Sequence, residues 1–156
     1  MLQHLKDNDP EDEHNIVRMK NRFIFRKHVC IVFELLAINL YDFSQTHEFS
    51  MDLVRRFAIQ ILQSLKYMKE QQVIHCDLKP ENVMLKSSDK SGLKVIDLGS
   101  SCFRDQIVYT YIQSRYYRAP EIMLGIPYSH EIDMWSFGAI LVELVIGQPI
   151  FPGEHE

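Results

Sequence analysis

Residues 73–85 read VIHCDLKPENVML and place three polar side chains, Asp77, Lys79 and Asn82, between two short apolar runs. Phosphoryl transfer needs a carboxylate that orients the attacking hydroxyl, a cation near the moving group, and ligands for metal ions. Asp77 is then the expected base, Lys79 the expected cation and Asn82 an expected metal ligand. The stretch therefore predicts an enzyme that moves phosphoryl groups.

Two short apolar runs of β type follow, Val83–Leu85 and residues 93–96, joined by the turn-like KSSDKSG. If they pair as a hairpin, Asn82 and Asp97 lie at the same end of it. Mg²⁺ prefers carboxylate oxygen, so Asp97 is the expected stronger metal ligand. An isolated Asp-x-Lys is usually a solvated ion pair, and an isolated Asp-Leu-Gly is usually a turn. Their combination in this order favours phosphoryl transfer.

The rest of the chain predicts an α+β protein. Residues 1–6 suggest a short helix, followed by an acidic run that we interpret as a solvated loop. RFIFRKHVCIVFEL, residues 22–35, predicts a β-hairpin. Apolar residues at helical spacing predict a helix over 53–68 with Ser50 as its N-cap, and a buried helix over 132–146 that Gly147 stops.

Composition narrows the classes of partner and compartment. A net charge of -4 over 156 residues argues against nucleic acid or an anionic membrane as partner. The most apolar stretch, 132–146, is shorter than the roughly 20 residues that a membrane span needs. Three unpaired cysteines and no secretory signal predict a reducing, intracellular location.

Four motifs together resemble a eukaryotic protein kinase: HCDLKPEN (75–82), KVIDLGSSC (94–102), YTYIQSRYYRAPE (109–121) and DMWSFG (133–138). More narrowly, they resemble the DYRK family, the dual-specificity tyrosine-regulated kinases of the CMGC group. The homeodomain-interacting kinases share QSRYYRAPE but fit the Y-x-Y and SSC less well. The resemblance implies an incomplete kinase-like fold: the end of the small lobe (1–33), a hinge (34–37) and a partial, mostly helical large lobe (38–156).

The resemblance also implies ATP and Mg²⁺ as cofactors and a location in the cytoplasm or the nucleus. Phe33 is the implied gatekeeper, Glu34 and Leu36 offer backbone groups to adenine, and Met84 packs under its ring. From the residues alone, positions 33–36 are only the end of an apolar strand. The implied Mg²⁺ ligands are Asn82 and Asp97.

Four further positions have structural roles by resemblance. His75 and Leu98 resemble buried residues of the kinase core, although Leu98 replaces the usual Phe. Asp133 resembles the central-helix acid that binds the backbone of the catalytic loop, which explains an acid in an apolar helix. Glu121 resembles the acid that pairs with an Arg beyond residue 156.

Cys76 stands where the kinase signature H-R-D-L-x-x-x-N has Arg, a residue that binds a phosphorylated activation segment in many kinases. Arg115 and Arg118 follow Tyr111 by four and seven residues, and guanidinium groups suit phosphate oxygens. We therefore predict that Tyr111 is phosphorylated and held by Arg115 and Arg118. The alternative is a tyrosine-rich loop that packs on its neighbours.

Cys76 and Cys102 each lie near an active-site Asp, so a redox-sensitive thiol pair is a second hypothesis. The favoured alternative is that both are small buried residues.

The glycine-rich loop and the strand lysine, which bind the phosphates of ATP in a kinase, are not evident in the sequence. The first glycine is Gly92, so no G-x-G-x-x-G precedes the catalytic loop, and Lys20 is misplaced for the strand lysine. One interpretation is an incomplete, monomeric kinase whose whole form phosphorylates protein Ser or Thr near Pro and its own Tyr. The other is a short product that acts as an interaction or competitor module. The intact group Asp77, Lys79, Asn82 and Asp97 favours the first. By itself the chain is expected to turn ATP over weakly and to expose apolar surface on the 132–146 helix.

Overall fold

Helices and two-stranded antiparallel sheets make up the computed structural model, which describes residues 1–87 and 92–155. The helices are Leu2–Asp7 (α1), Leu40–Ser44 (α2), Met51–Glu70 (α3), Pro120–Met123 (α4) and Glu131–Ile146 (α5). The strands are Met19–Phe25 (β1), His28–Phe33 (β2), Val73–Ile74 (β3), Val83–Leu85 (β4), Leu93–Val95 (β5) and Cys102–Phe103 (β6). The predicted α+β class is confirmed.

The core forms where α3 and α5 pack against the β4–β5 hairpin. The predicted N-cap is present, since the Leu53 N–H donates to Ser50 Oγ at 3.3 Å. Phe57 and Ile61 on α3 and Ile140 on α5 are fully buried and share one apolar cluster with the strand residues. The segment between α3 and the hairpin, which contains Asp77, is therefore attached to the most buried part of the chain.

The β4–β5 pairing places the two predicted metal ligands at one end of the hairpin. The register runs from Val83 opposite Val95 to Leu85 opposite Leu93. The Ile96 N–H donates to the Asn82 carbonyl at 2.9 Å, so Asn82 and Asp97 leave the strands side by side. Of the connecting turn predicted for 86–92, residues 88–91 lie outside the described part.

The β1–β2 hairpin is confirmed in nearly the predicted place. Arg26 and Lys27 form its two-residue turn with φ of 48° and 65°, the left-handed conformation that matches strand twist. Ile24 and Val29 are 77% and 74% exposed. Within the described residues the hairpin pairs with no further strand.

Helix α5 ends as predicted. Gly147 has φ of 79°, a left-handed conformation that glycine adopts without a Cβ clash, and its N–H donates to the Glu143 carbonyl at 2.8 Å. The expected apolar flank is also present, because Met134, Val145 and Ile146 are about half exposed.

The interpretation of the acidic run after α1 as a solvated loop is wrong for two of its residues. Asp9 is buried, and its carboxylate accepts the N–H groups of Glu13 at 3.0 Å and His14 at 3.3 Å. Asp12 binds the Lys94 ammonium at 2.7 Å. Local charge density could not predict this pairing because the partner is far along the chain.

Candidate active site

Asp77 lies at the centre of a set of short polar contacts. Its Oδ2 is 3.0 Å from Lys79 Nζ. Its Oδ1 accepts the Ser114 N–H at 3.1 Å and the Ser114 hydroxyl at 2.7 Å. Lys79 Nζ in turn donates to Ser114 Oγ at 3.0 Å. The Asp77 carboxylate is thus held in one orientation with a cation beside it.

Ser114 was not predicted from the sequence as a site residue. It follows Gln113, and its sequence neighbourhood carries no local signal for a role beside Asp77. The contact joins residues 37 positions apart. Only folding brings Ser114 onto the loop that contains Asp77.

Asp133 fixes the backbone that precedes Asp77. Its Oδ2 accepts the His75 N–H at 2.8 Å and its Oδ1 accepts the Cys76 N–H at 3.1 Å. Burial raises the pKa of the Asp133 carboxyl, while these backbone donors act in the opposite direction. Cys76 has φ of 66°, a conformation unusual for a residue with a side chain. The bonds to Asp133 hold the loop in this conformation.

His75 is fully buried and connects the catalytic loop to the β4–β5 hairpin. Its Nδ1 accepts the Asp77 N–H at 3.2 Å, which assigns the ring proton to Nε2. Nε2 then donates to the Ile96 carbonyl at 2.9 Å, next to Asp97. Leu98 is also buried and packs with Tyr67 and Val73.

The oxygens available at the hairpin end fit Mg²⁺. Asn82 Nδ2 donates to the Asp77 carbonyl at 2.9 Å, and no described residue donates to Asn82 Oδ1. The Asp97 side chain is exposed, and its Oδ1 accepts the Gly99 N–H at 3.1 Å. Residues 1–87 and 92–155 contain no cluster of three or more His, Cys, Asp or Glu side chains that could bind a metal. One carboxylate and one amide suit Mg²⁺, which usually keeps waters and binds substrate phosphates as well.

A cavity of about 830 Å³ lies between the β1–β2 hairpin, residues 34–36 and the β4–β5 hairpin. The hinge is attached to β4, since the Ala37 N–H donates to the Leu85 carbonyl at 2.9 Å. The predicted residues that line the cavity are Phe33, Glu34, Leu36, Met84, Asp97 and Leu98.

The predicted phosphotyrosine site is brought together in part. Tyr111 is 68% exposed, and the Arg118 guanidinium carbon lies 4.2 Å from the centre of its ring. Arg118 also donates to the carbonyls of Ile112 and Gln113. Arg115 donates instead to the Glu154 carbonyl at 2.7 Å. Arg118 therefore contacts Tyr111, whereas Arg115 is bound to another segment.

The sulfurs of Cys76 and Cys102 are 3.7 Å apart because β3 pairs with β6. Burial raises the pKa of the Cys76 thiol, which lowers its thiolate fraction and its reactivity.

The hypothesis of a redox-sensitive thiol pair stays a prediction. If Cys76 and Cys102 form a disulfide, mild oxidation of the folded chain should lower the number of free thiols by two. In a matched Cys102→Ser variant, the same oxidation should leave the number of free thiols unchanged. An unchanged number in the unaltered chain would refute the hypothesis.

Glu121 lies in the first turn of α4 and is half-buried. It forms no ion pair with the part of the chain that the structure describes. Its predicted Arg partner was placed beyond residue 156.

A charged pocket beside the site was missed in the sequence. The cavity holds about 500 Å³ and is lined by two acids, Glu81 and Glu143, and two bases, Lys79 and Arg115, together with Ser114. Glu81 Oε2 is buried and has no hydrogen-bond partner among the described residues. The Tyr117 hydroxyl donates to Glu143 Oε2 at 2.6 Å. The sequence signal that could have predicted this pocket is Glu143, an acid within the apolar helix α5.

Replacing Glu143 with Gln is expected to stabilise the fold at pH 8 more than at pH 5. Burial raises the pKa of the Glu143 carboxyl in the folded protein above its value in the unfolded chain. The protonated carboxyl therefore contributes stability that is fully present below the unfolded-state pKa. This contribution is lost as the pH rises through the folded-state pKa. Gln cannot ionise, yet its oxygen still accepts from Tyr117. Urea unfolding at both pH values measures the effect, with the exposed Glu131→Gln as control. A variant less stable than the unaltered chain at pH 8 would contradict this.

Comparison with known proteins identifies the class. Residues 3–156 match the protein kinase domain family, so the chain belongs to the protein kinases. Within them it is a member of the DYRK family. It is 56% identical to Dual specificity tyrosine-phosphorylation-regulated kinase 3 of Rattus norvegicus over its whole length, which is 27% of that protein.

Similar identity extends to distant organisms. The chain is 55% identical to Dual specificity tyrosine-phosphorylation-regulated kinase mbk-2 of Caenorhabditis elegans and covers 20% of it. It is 52% identical to Probable serine/threonine-protein kinase dyrk2 of Dictyostelium discoideum and covers 17%. All of this chain aligns in both cases. Among the described residues, no helix has the length and apolar character needed to cross a membrane.

Proposed function

We propose that the protein transfers the γ-phosphoryl group of ATP to Ser and Thr hydroxyls of other proteins and to Tyr of its own activation segment. The contacts that hold the Asp77 carboxylate against Lys79 and Ser114 carry this proposal. Asp77 accepts the proton of the attacking hydroxyl, and Lys79 offsets negative charge at the transferred group.

The cofactor sites follow from the same geometry. Asn82 Oδ1 and the Asp97 carboxylate would hold Mg²⁺, which neutralises phosphate charge when bound. Phe33, Met84 and the backbone of Glu34 and Leu36 would enclose adenine in the large cavity. This assigns residues 34–37 as the hinge between the end of a small lobe, 1–33, and a large lobe, 38–156.

The pocket beside Asp77 supports a narrower substrate class. Glu81 and Glu143 line it together with Lys79 and Arg115, and the buried Glu81 Oε2 has no partner among the described residues. A guanidinium group from a substrate would satisfy it with a charge-assisted hydrogen bond. We therefore propose substrates with an Arg near the accepting Ser or Thr. A Pro beside the acceptor is proposed from family resemblance alone.

A chimeric kinase, called the graft below, tests the proposed function. Residues 1–156 replace the aligned segment of the rat relative, and the purified graft is assayed with ATP on a peptide array. We expect Mg²⁺-dependent phosphorylation of Ser and Thr, strongest in Arg-containing peptides. A folded graft with no more transfer than an EDTA-treated sample would refute the kinase proposal.

The interaction or competitor role remains the second proposal. It is favoured by the exposed apolar side chains of the β1–β2 hairpin. The purified 156-residue chain is expected to turn ATP over weakly. Robust kinase activity of that chain alone would overturn this expectation.

Phosphorylation of Tyr111 is expected in the active graft. A phosphate adds roughly 1.5 to 2 negative charges within reach of Arg118, which lies against the ring, and would draw Arg115 from the Glu154 carbonyl. Tandem mass spectrometry after expression measures it. A Tyr109→Phe graft should keep the modification, whereas an active graft without phosphate on Tyr111 would remove the proposal.

A further inference from the structure

Lys94 is a buried lysine outside the groups assigned to chemistry. It lies in β5 and is only 1% exposed. Its Nζ is 2.7 Å from both carboxylate oxygens of Asp12 and 2.6 Å from Glu34 Oε1. An ammonium taken out of water is costly unless it is paired and hydrogen-bonded, and here two carboxylates supply the pairing.

Glu34 is held from two sides. The same Oε1 that binds Lys94 also accepts the Arg18 N–H at 2.7 Å. The Glu34 N–H donates to the Arg18 carbonyl at 3.1 Å. No described residue donates to the Glu34 carbonyl, and Glu34 lines the large cavity. The residue is therefore fixed through its side chain and its N–H while its carbonyl is available to a ligand.

The charged groups around Lys94 are equal in number and opposite in sign, and they connect segments that are distant in the sequence. Arg18 Nε lies 3.5 Å from Asp12 Oδ1, so two cations, Arg18 and Lys94, face two anions, Asp12 and Glu34. Lys94 also stands three residues before Asp97, which follows the end of β5. One ammonium thus connects the loop after α1, the hinge and the strand that leads to the metal-binding Asp.

We infer that Lys94 is a positioning residue for adenine recognition, because its contact with Glu34 fixes the hinge carbonyl that accepts the adenine amino group. The inference rests on the proposed function, which assigns the large cavity to ATP. Lys94 itself touches no substrate. Its loss should weaken the selection of adenine rather than the binding of phosphates or metal.

Adenosine and purine riboside isolate this contribution, because purine riboside has a hydrogen in place of the amino group, keeps the N1 acceptor and cannot donate to the Glu34 carbonyl. Dissociation constants are measured by ligand-observed NMR on the 156-residue chain. One hydrogen bond predicts a preference for adenosine of roughly three- to tenfold. Lys94→Met should bring this ratio close to one. The control Lys86→Met removes an exposed lysine that binds Asn15 and does not reach the hinge, and should keep the ratio.

Stability is separated from positioning by a second variant. Lys94→Met leaves Glu34 without its cation and leaves Asp12 with Arg18 alone, which lowers the midpoint of thermal unfolding. The double variant Glu34→Gln/Lys94→Met has no uncompensated charge at the hinge, so its midpoint should recover while the adenosine preference stays lost. Full preference in either the folded single or the double variant would overturn the inference. An unaltered chain without preference for adenosine would instead refute the ATP assignment on which it rests.

Discussion

Replacing Asp77 with Asn is expected to lower kcat of the graft by at least about 100-fold, the lower end of what a positioned base contributes. Asn has the same shape, and its oxygen still accepts from Ser114, so the loop keeps its conformation. The amide cannot accept the proton of the attacking hydroxyl. Steady-state kinetics on an Arg-containing Ser peptide measures the loss, while KM for ATP should change little.

The control for Asp77→Asn is the thermal unfolding midpoint, which should stay within a degree or two of the unaltered graft. Ser114→Ala is a useful companion variant because it removes one donor to Asp77 and leaves the carboxylate. Its loss of kcat should be much smaller. A kcat of Asp77→Asn within threefold of the unaltered protein would show that Asp77 is not the base.

Replacing Asp133 with Asn is expected to damage stability and catalysis together. Both carboxylate oxygens accept buried backbone N–H groups, from His75 and Cys76. An amide has a single acceptor oxygen, so one buried N–H loses its partner and faces another donor. The cost is about 1 to 3 kcal/mol of the free energy of unfolding. Removal of a buried charge offsets part of this cost, because burial raises the pKa of Asp133.

The matched control for Asp133→Asn is Ile140→Val, a fully buried apolar position on the same helix that has no side-chain hydrogen bond to the backbone before Asp77. Its expected cost is about 0.5 to 1.5 kcal/mol. Urea unfolding measures both variants, and kcat separates them. Asp133→Asn should lower kcat because the backbone before Asp77 shifts, whereas Ile140→Val should not. If both folded variants keep the same kcat, Asp133 has no positioning role.

Local signals were sufficient for the two long helices and the two hairpins, but not for the short elements α2, α4, β3 and β6. Helix α3 begins at the cap formed by Ser50, α5 ends at Gly147, and both hairpins occur near their predicted places. Each of these features depends on residues a few positions apart, through apolar periodicity, a cap or a turn. The acidic run after α1 was misjudged because Asp12 is neutralised by Lys94, which is 82 residues away.

By itself, the sequence determined the kinase class of this protein and the residues that could do its chemistry, because the protein-kinase signature has Asp, Lys and Asn at fixed spacing in one loop. The tertiary structure alone decided how those residues are held. Ser114 reaches Asp77 across 37 residues of chain, and Lys94 reaches Glu34 in the hinge across 60. Burial selects such pairings because a polar group without water needs a partner wherever the fold places one, and sequence spacing carries no record of that choice.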